Sequence, residues 1–226
     1  MPPGRRTADS RAASLAILAK AYQFNGDRPV AYLDETYEER PGSSTFYVMT
    51  AAVLQADQRD LVREDVTRIV GRPYWHTTDA LQSDEGRAKA SELLQYLGDP
   101  DGTEVCLISR RSPIEPEDSS GELARADCLT RLLKHLNDPG CVTGPVDLFV
   151  LETRLTRQMG NIDARTRSEA IKSGAVAPSV KLFQTSPAVE PLLWLPDLVC
   201  SAYRQLITGR RGDLYDMVAG ICTVLS

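Results

Sequence analysis

The sequence predicts an α/β fold in which a mixed sheet of five strands is flanked by helices. Short apolar runs rich in β-branched and aromatic residues alternate with stretches of helical periodicity along the 226 residues. The first two apolar runs are separated by a turn-forming segment, which is typical of an antiparallel hairpin. The later runs are separated by whole helices, and connections of that length join parallel strands.

The hairpin comes first along the predicted sheet. Residues 30–33 (VAYL) form a short apolar run that ends at Asp34 and Glu35, and residues 41–44 (PGSS) turn the chain. Residues 45–54 are β-branched and aromatic at their start, which favours a second strand antiparallel to the first.

A helical insertion follows the second strand. Apolar residues recur at helical spacing between residues 59 and 70, and Gly71 and Pro73 end that helix. A second helix is predicted to begin at Thr78 or Asp79, either of which could cap it, and to run to about Leu97.

Strands and helices alternate through the rest of the chain. The predicted strands are residues 103–109, 146–151 and 179–184, and Glu152 follows the fourth strand of the sheet. The predicted helices comprise a leucine-rich helix ending near residue 136, a polar helix over 161–173 with Gly174 as its C-cap, a last major helix over 189–208 and a C-terminal helix over 212–225. We expect a helix or tail over residues 1–27 and a single domain over 28–226.

The composition and charge of the chain exclude several classes of function. The formal net charge is -5 and the sequence pI is about 5.2, so the chain has no overall positive field to attract nucleic acid. The five scattered cysteines lack C-x-x-C spacing, which argues against a disulfide framework and a zinc knuckle and favours a cytoplasmic location. No targeting or membrane-spanning segment is evident, so we expect no membrane partner.

Acidic residues stand at positions that could form a metal site. Asp34 and Glu35 follow the first strand, Glu152 follows the fourth, and Asp197 lies within the apolar last helix. If the first and fourth strands are neighbours, their acidic ends lie about 5 Å apart. Converging carboxylates repel one another, and Mg²⁺ or Mn²⁺ relieves that repulsion. Such ions support phosphodiester cleavage.

Four segments in this order resemble the domain of unknown function 3800 family, which has a ribonuclease H-like fold. They are YLDET, WHTTDAL, VLETR and LPDLVCSAY, and the likeness spans about residues 30–210. The resemblance implies a five-stranded sheet, a carboxylate cluster and metal-dependent hydrolysis of nucleic acid. It carries over to Asp34 and Asp197, and Glu152 takes the place of a strand-end acid.

The chain departs from that family pattern near the same residues. Thr36 and Tyr37 replace Ser-Gly, Pro196 precedes Asp197, and Glu152 stands where Asp is usual. The family fold would draw a further acid from the helix after the third strand, where Glu122 and Asp127 are positional candidates.

Each acid also has a structural interpretation. Asp34 could instead accept backbone N–H groups at a turn, Glu152 could pair with a nearby arginine, and Asp197 could cap a helix after Pro196. Glu35 alternates to the opposite face of the strand from Asp34, so it is either a weaker site residue or exposed to solvent.

His76 and Asp79 are further, weaker site candidates. His76 could contact a phosphate or position a water with Asp79 as its partner, or it could stack on Trp75 while Asp79 caps a helix. His135 is better explained by its place near a helix C-terminus. With two histidines and no paired cysteines, the chain lacks a zinc hydrolase motif, and esterase, phosphate-loop and dinucleotide motifs are absent as well.

The densest basic stretch follows Glu152 directly. It is either a phosphate-binding surface or a solvated helix face, and its predicted substrate contacts are Arg154, Arg157, Arg165 and Arg167. Three hypotheses follow from the sequence: a Mg²⁺- or Mn²⁺-dependent nuclease acting on RNA or DNA, a non-catalytic binding module on the same fold, and a defence- or toxin-related component that acts with a partner.

Overall fold

The computed structural model describes residues 3–38, 45–154 and 156–225, with side chains from Arg11 onward except Arg157. The strands are β1 (Val30–Glu38), β2 (Phe46–Leu54), β3 (Val105–Arg111), β4 (Leu148–Glu152), β5 (Lys181–Thr185) and β6 (Cys222–Leu225). The helices are α1 (Pro3–Asn25), α2 (Arg59–Val70), α3 (Thr77–Ala80), α4 (Asp84–Leu97), α5 (Glu122–Leu136), α6 (Arg157–Lys172), α7 (Trp194–Ile207) and α8 (Asp213–Asp216), and short 3₁₀ turns cover Pro191–Leu193 and Ala219–Ile221.

The sheet is mixed, as the sequence predicts, and its strand order is β5-β4-β1-β2-β3-β6. The first three strands form an antiparallel meander, whereas β4 pairs parallel to β1 and β5 pairs parallel to β4. The predicted α/β class is therefore confirmed, but the predicted count of five strands is one too low, since β6 pairs parallel to β3.

Helices cover both faces of the sheet. Alternate residues of β1 belong to two separate cores: Val30 and Tyr32 pack with α7, α2 and α4, and Ala31 and Leu33 pack with α5. Since successive side chains of a strand point to opposite faces, this alternation decides which layer each functional residue of β1 faces.

The insertion between β2 and β3 is helical, as expected. Helix α2 has the predicted bounds, and Gly71 ends it with a φ of 64°. The second predicted helix is divided in two, because Ser83 accepts a hydrogen bond from the Gly86 backbone N–H and thereby begins a new helix at Asp84.

The predicted C-terminal helix over 212–225 is wrong. The buried Leu214 and Val218 follow a helical spacing, but they belong to α8 and the turn after it. The last described residues, Cys222–Leu225, are instead a strand that hydrogen-bonds along β3. β-Branched Thr223 and Val224 favour this extended conformation.

No helix in the described ranges combines the length and hydropathy that crossing a membrane requires.

Candidate functional site

The site is built around the point where the parallel ladder of β1 and β4 stops. The last paired residues are Leu33 and Leu151, so Asp34 and Glu152 are the next residues of the two strands. Both acids continue the alternation that faces α7, since Tyr32 and Val150 lie in the core on that face. The first and fourth strands are therefore neighbours, which is the condition that the sequence argument required for their acidic ends to meet.

The sequence-based end of the first strand is too early. β1 continues to Glu38 because residues 34–38 pair with β2, and only the pairing to β4 ends at Leu33. Asp34 is therefore paired with β2 on one side, whereas on its other side β4 no longer pairs with β1. The end of the pairing between β1 and β4 leaves space beside the paired backbone of β1.

Helix α7 brings Asp197 to the same place. Pro196 is the third residue of this helix and lies in its first turn, where a backbone N–H is not needed, so the helix accommodates it. Asp197 is half-buried, and its Oδ2 accepts a hydrogen bond of 3.1 Å from the Thr77 backbone N–H. This contact fixes the carboxylate with respect to α3.

The three acids line one pocket of about 290 Å³. Burial, followed by the charges of Asp197 and Glu35, raises the pKa of Asp34 well above its ordinary value. The pKa of Glu152 is raised by burial and then by Asp197, and the pKa of Asp197 is raised by burial. Ionising all three groups is therefore costly unless a cation enters the pocket.

Glu35 also borders the pocket, but it is engaged with the opposite layer of the fold. Its carboxylate forms an ion pair with Arg125, a fully buried residue of α5. Arg125 also forms hydrogen bonds of 2.8 and 2.9 Å to Asp163 and one of 3.0 Å to Tyr47. These contacts give Glu35 a structural partner.

His76 and Asp79 interact, as one interpretation of the sequence expects. His76 lines the pocket, and its Nδ1 lies 3.1 Å from Asp79 Oδ2. In the neutral ring this contact leaves Nε2 as the nitrogen that can accept a proton. Asp79 is largely exposed and does not line the pocket itself.

The basic segment lies away from the residues that line the pocket. Arg154 donates hydrogen bonds of 2.6 and 2.8 Å to Glu122, Arg165 pairs with Glu169, and Arg167 bonds the Val180 carbonyl. The side chain of Arg157 is outside the described residues. The positional candidates Glu122 and Asp127 pair with Arg154 and Arg131 and do not border the pocket.

Three further pocket residues were not predicted from the sequence. Tyr74 and Arg204 line the pocket, and the Cys200 thiol lies 2.9 Å from Thr50 Oγ1 and 3.3 Å from the Asp34 carbonyl oxygen. Asp197, Cys200 and Arg204 are separated by three and four residues, the spacing of one helix face, which is the sequence signal that could have identified them.

The donor set fits a hydrated hard cation better than an enclosed metal cage. Within the described ranges no group of three or more His, Cys, Asp or Glu side chains is arranged to hold a metal ion. Mg²⁺ is usually bound by one or two carboxylates together with waters and substrate phosphates. Asp34 and Asp197, which are half-buried and beside one pocket, meet that requirement.

Comparison with known proteins gives likenesses to solved structures only. No family model matches the chain, and no curated protein matches it. The chain resembles ribonuclease H2 from Pyrococcus horikoshii OT3, with 13% identity, 82% of this chain and 78% of that chain covered, and a TM-score of 0.48. It also resembles a mutant protein of Bst-RNase HIII, with 14% identity, 88% of this chain and 58% of that chain covered, and a TM-score of 0.46. A third resemblance is to NurA with manganese, with 8% identity, 91% of this chain and 46% of that chain covered, and a TM-score of 0.25.

The strand order describes the fold directly. An antiparallel meander of three strands is extended on the β1 side by two parallel strands, which agrees with the predicted mixed sheet of a ribonuclease H-like fold, and β6 is an addition at the β3 edge. The resemblance to the domain of unknown function 3800 family stays a prediction.

Proposed function

We propose that the protein is a nuclease that hydrolyses phosphodiester bonds with the help of Mg²⁺ or Mn²⁺. One observation carries the proposal: Asp34, Glu152 and Asp197, from β1, β4 and α7, border a single pocket in which burial raises the pKa of all three and the charge of Asp197 further raises those of Asp34 and Glu152. An acidic pocket on a protein of net charge -5 repels a phosphate unless a cation neutralises it.

Each acid has a distinct place in this proposal. Asp34 and Asp197 would hold the cation, and Glu152, at the pocket rim, would bind it through water or hold a water beside the phosphate. A bound divalent cation would supply Lewis acidity and lower the pKa of a coordinated water. The Thr77 N–H keeps Asp197 oriented before any cation binds.

His76 provides a group for proton transfer at the pocket wall. Asp79 engages Nδ1, so Nε2 is the nitrogen that can accept or donate the proton exchanged with water or with the leaving oxygen. The role is that of a general acid or base, and it predicts that His76→Ala lowers the cleavage rate about 100-fold or more.

Cleavage assays test the proposal directly. Labelled RNA and DNA oligonucleotides are incubated with the purified protein in Mg²⁺, Mn²⁺ or EDTA. We expect cleavage that requires the cation and that Asp34→Asn and Asp197→Asn each abolish. Asp213→Asn is the matched control, because this exposed aspartate pairs with Arg211 away from the pocket. Cleavage that persists undiminished in both pocket variants would overturn the assignment of these residues.

A non-catalytic binding module is the second candidate. Its supporting observation is that the described residues contain no preformed group of three metal ligands. The two functions differ in a thermal-shift experiment, since a ligand that binds the folded state raises the melting temperature. A nuclease should be stabilised by Mn²⁺ in a manner that Asp34→Asn removes, and a metal-independent binding module should not.

A further inference from the structure

We infer that the substrate is single-stranded where it meets the site, with Tyr74 stacking on a base and Arg204 contacting a phosphate. This inference rests on the proposed function, and it adds the substrate class and two positioning residues. Both residues border the pocket that Asp34, Glu152 and Asp197 form.

Tyr74 is an aromatic side chain presented to solvent beside the acids. Its side chain is 52% exposed, whereas Trp75 and Trp194, which border the same pocket, are buried. A half-exposed aromatic ring beside a pocket offers apolar area whose burial by a ligand would be favourable. Bases of single-stranded nucleic acid stack on such rings regardless of sequence.

The segment that carries Tyr74 is anchored on its C-terminal side. The buried Trp75 donates a hydrogen bond of 2.9 Å from Nε1 to Thr77 Oγ1, and the Thr77 backbone N–H binds Asp197. Tyr74 is therefore held at a fixed place with respect to the carboxylate that would bind the cation. A base stacked on the ring would position the neighbouring phosphate towards the acids.

Arg204 supplies the positive charge of the pocket. Among the described residues that border it, Arg204 is the only arginine or lysine. It lies two turns after Asp197 on α7, about 10 Å along the helix. Its Nη2 donates a 2.7 Å hydrogen bond to Glu38 and its Nη1 a 3.4 Å bond to Thr36. A guanidinium has five N–H donors, so donors remain for a phosphate oxygen.

The distribution of charge argues against a duplex. Duplex binders neutralise several phosphates with arginine and lysine. Here Arg154, Arg165 and Arg167 of the basic segment bind Glu122, Glu169 and the Val180 carbonyl, and none of the three borders the pocket. A base must also leave its stack to reach Tyr74, and that step costs least in a single strand.

Binding and cleavage of matched substrates test the inference. Fluorescein-labelled oligothymidylate and oligouridylate are compared with their duplexes, by anisotropy in Ca²⁺ and by cleavage in Mn²⁺. We expect tighter binding and faster cleavage of the single strands by at least about tenfold. Tyr74→Ala should weaken single-strand binding by about 5- to 150-fold, the range that loss of one stacked base gives.

Matched variants separate stacking from other effects. Tyr74→Phe keeps the ring and should bind within about twofold of the wild type. Tyr37→Ala is the control, since Tyr37 is 50% exposed but lies outside the pocket and stacks on Tyr47. Arg204→Gln should weaken binding of both single strands alike, because a phosphate contact carries no sequence information.

The outcomes distinguish this inference from the proposed function. Equal or tighter binding of duplexes, or unchanged binding by Tyr74→Ala, overturns the inference while cation-dependent cleavage can still stand. Single-strand binding that depends on Tyr74, without cleavage in any cation, supports the substrate class and contradicts the hydrolytic function. Absence of binding to every oligonucleotide overturns the inference.

Discussion

At the scale of single residues, Asp34 is held where its charged form is unfavourable. Its strand is paired on the β2 side, so the backbone that carries the carboxylate cannot move away from Asp197 without disturbing the sheet. Binding sites for cations commonly hold like charges close together in this way, because the ion supplies the compensating charge.

The raised pKa of Asp34 makes the metal-free protein less stable as pH rises. The folded state binds the proton more tightly than the unfolded state, so the free energy of unfolding should fall as pH increases from the ordinary aspartate pKa through the raised one. Asp34→Asn should flatten this dependence and raise the melting temperature of the metal-free protein at neutral pH.

Thermal denaturation in EDTA across a pH series measures this effect. Mg²⁺ should restore stability to the wild type at neutral pH and leave Asp34→Asn unchanged, with Asp213→Asn behaving as the wild type. A metal-free wild type whose stability increases between about pH 4 and 8 by more than that of Asp34→Asn would contradict the prediction.

The residues of the site differ in how far the sequence could predict them. Asp34, Glu152 and Asp197 stand out because an acid at the end of an apolar strand or within an apolar helix is unusual, and the structure brings all three to one pocket. The partner of Arg154 could not be inferred, since Glu122 lies on α5, 32 residues earlier in the chain. No sequence motif marks Tyr74, and it is distinguished only by its exposure in the folded chain.

At the scale of elements, β1 connects two layers with different chemistry. Asp34 faces the pocket under α7, and Glu35 pairs with Arg125 in the layer of α5 and α6. Arg125 and Asp163, both almost fully buried, join those two helices. A buried charge that water does not solvate needs an oppositely charged partner, so the loss of either Arg125 or Asp163 should destabilise the folded protein.

Removal of Asp163 should therefore destabilise the protein strongly. Asp163→Ala leaves the Arg125 guanidinium with fewer acceptors, and we expect a loss of about 3–5 kcal/mol in the free energy of unfolding. Urea denaturation measures the loss. The double variant Arg125→Met with Asp163→Leu should lose less than Asp163→Ala, because no buried charge remains on either residue.

An exposed ion pair on the same helix serves as the control. Arg165 and Glu169 are joined by a 2.8 Å contact but are largely exposed, so Glu169→Ala should change stability by less than about 1 kcal/mol. Equal effects of Asp163→Ala and Glu169→Ala would show that burial of the Arg125 pair does not matter.

The sequence predicts secondary structure most accurately in segments where a single hydrophobic periodicity dominates. Helix α2 and the core strands β2 and β4 follow apolar patterns that fix their type. The C-terminal segment fails because Leu214 and Val218 do pack in helical fashion, and the decision between helix and strand for the following residues depends on β3. A partner strand so distant in sequence leaves no local signal.

At the scale of the whole molecule, the net charge of -5 limits how nucleic acid can be held. Under the proposed function, attraction would come from the bound cation and from Arg204. A protein of this net charge does not gather polynucleotide by long-range attraction, and its contact with the strand would be confined to the pocket.

The salt dependence of binding should consequently be weak. For single strands the logarithm of the association constant falls with the logarithm of salt by about 0.7 per neutralised phosphate, so one contact through Arg204 predicts a slope near -0.7. Anisotropy titrations of oligothymidylate in Ca²⁺ at increasing KCl measure it. A slope steeper than about -2 would indicate further phosphate contacts and contradict the prediction.

The sixth strand has a consequence for how the molecule reaches its folded state. Cys106 and Cys222 are partners in the β3–β6 register although more than a hundred residues separate them along the chain. The entropy of closing that loop must be spent before their contacts form, so β6 is expected to join the sheet late. Until then the hydrogen-bonding edge of β3 is open to other strands, and only in the folded protein do the four residues of β6 cover that edge.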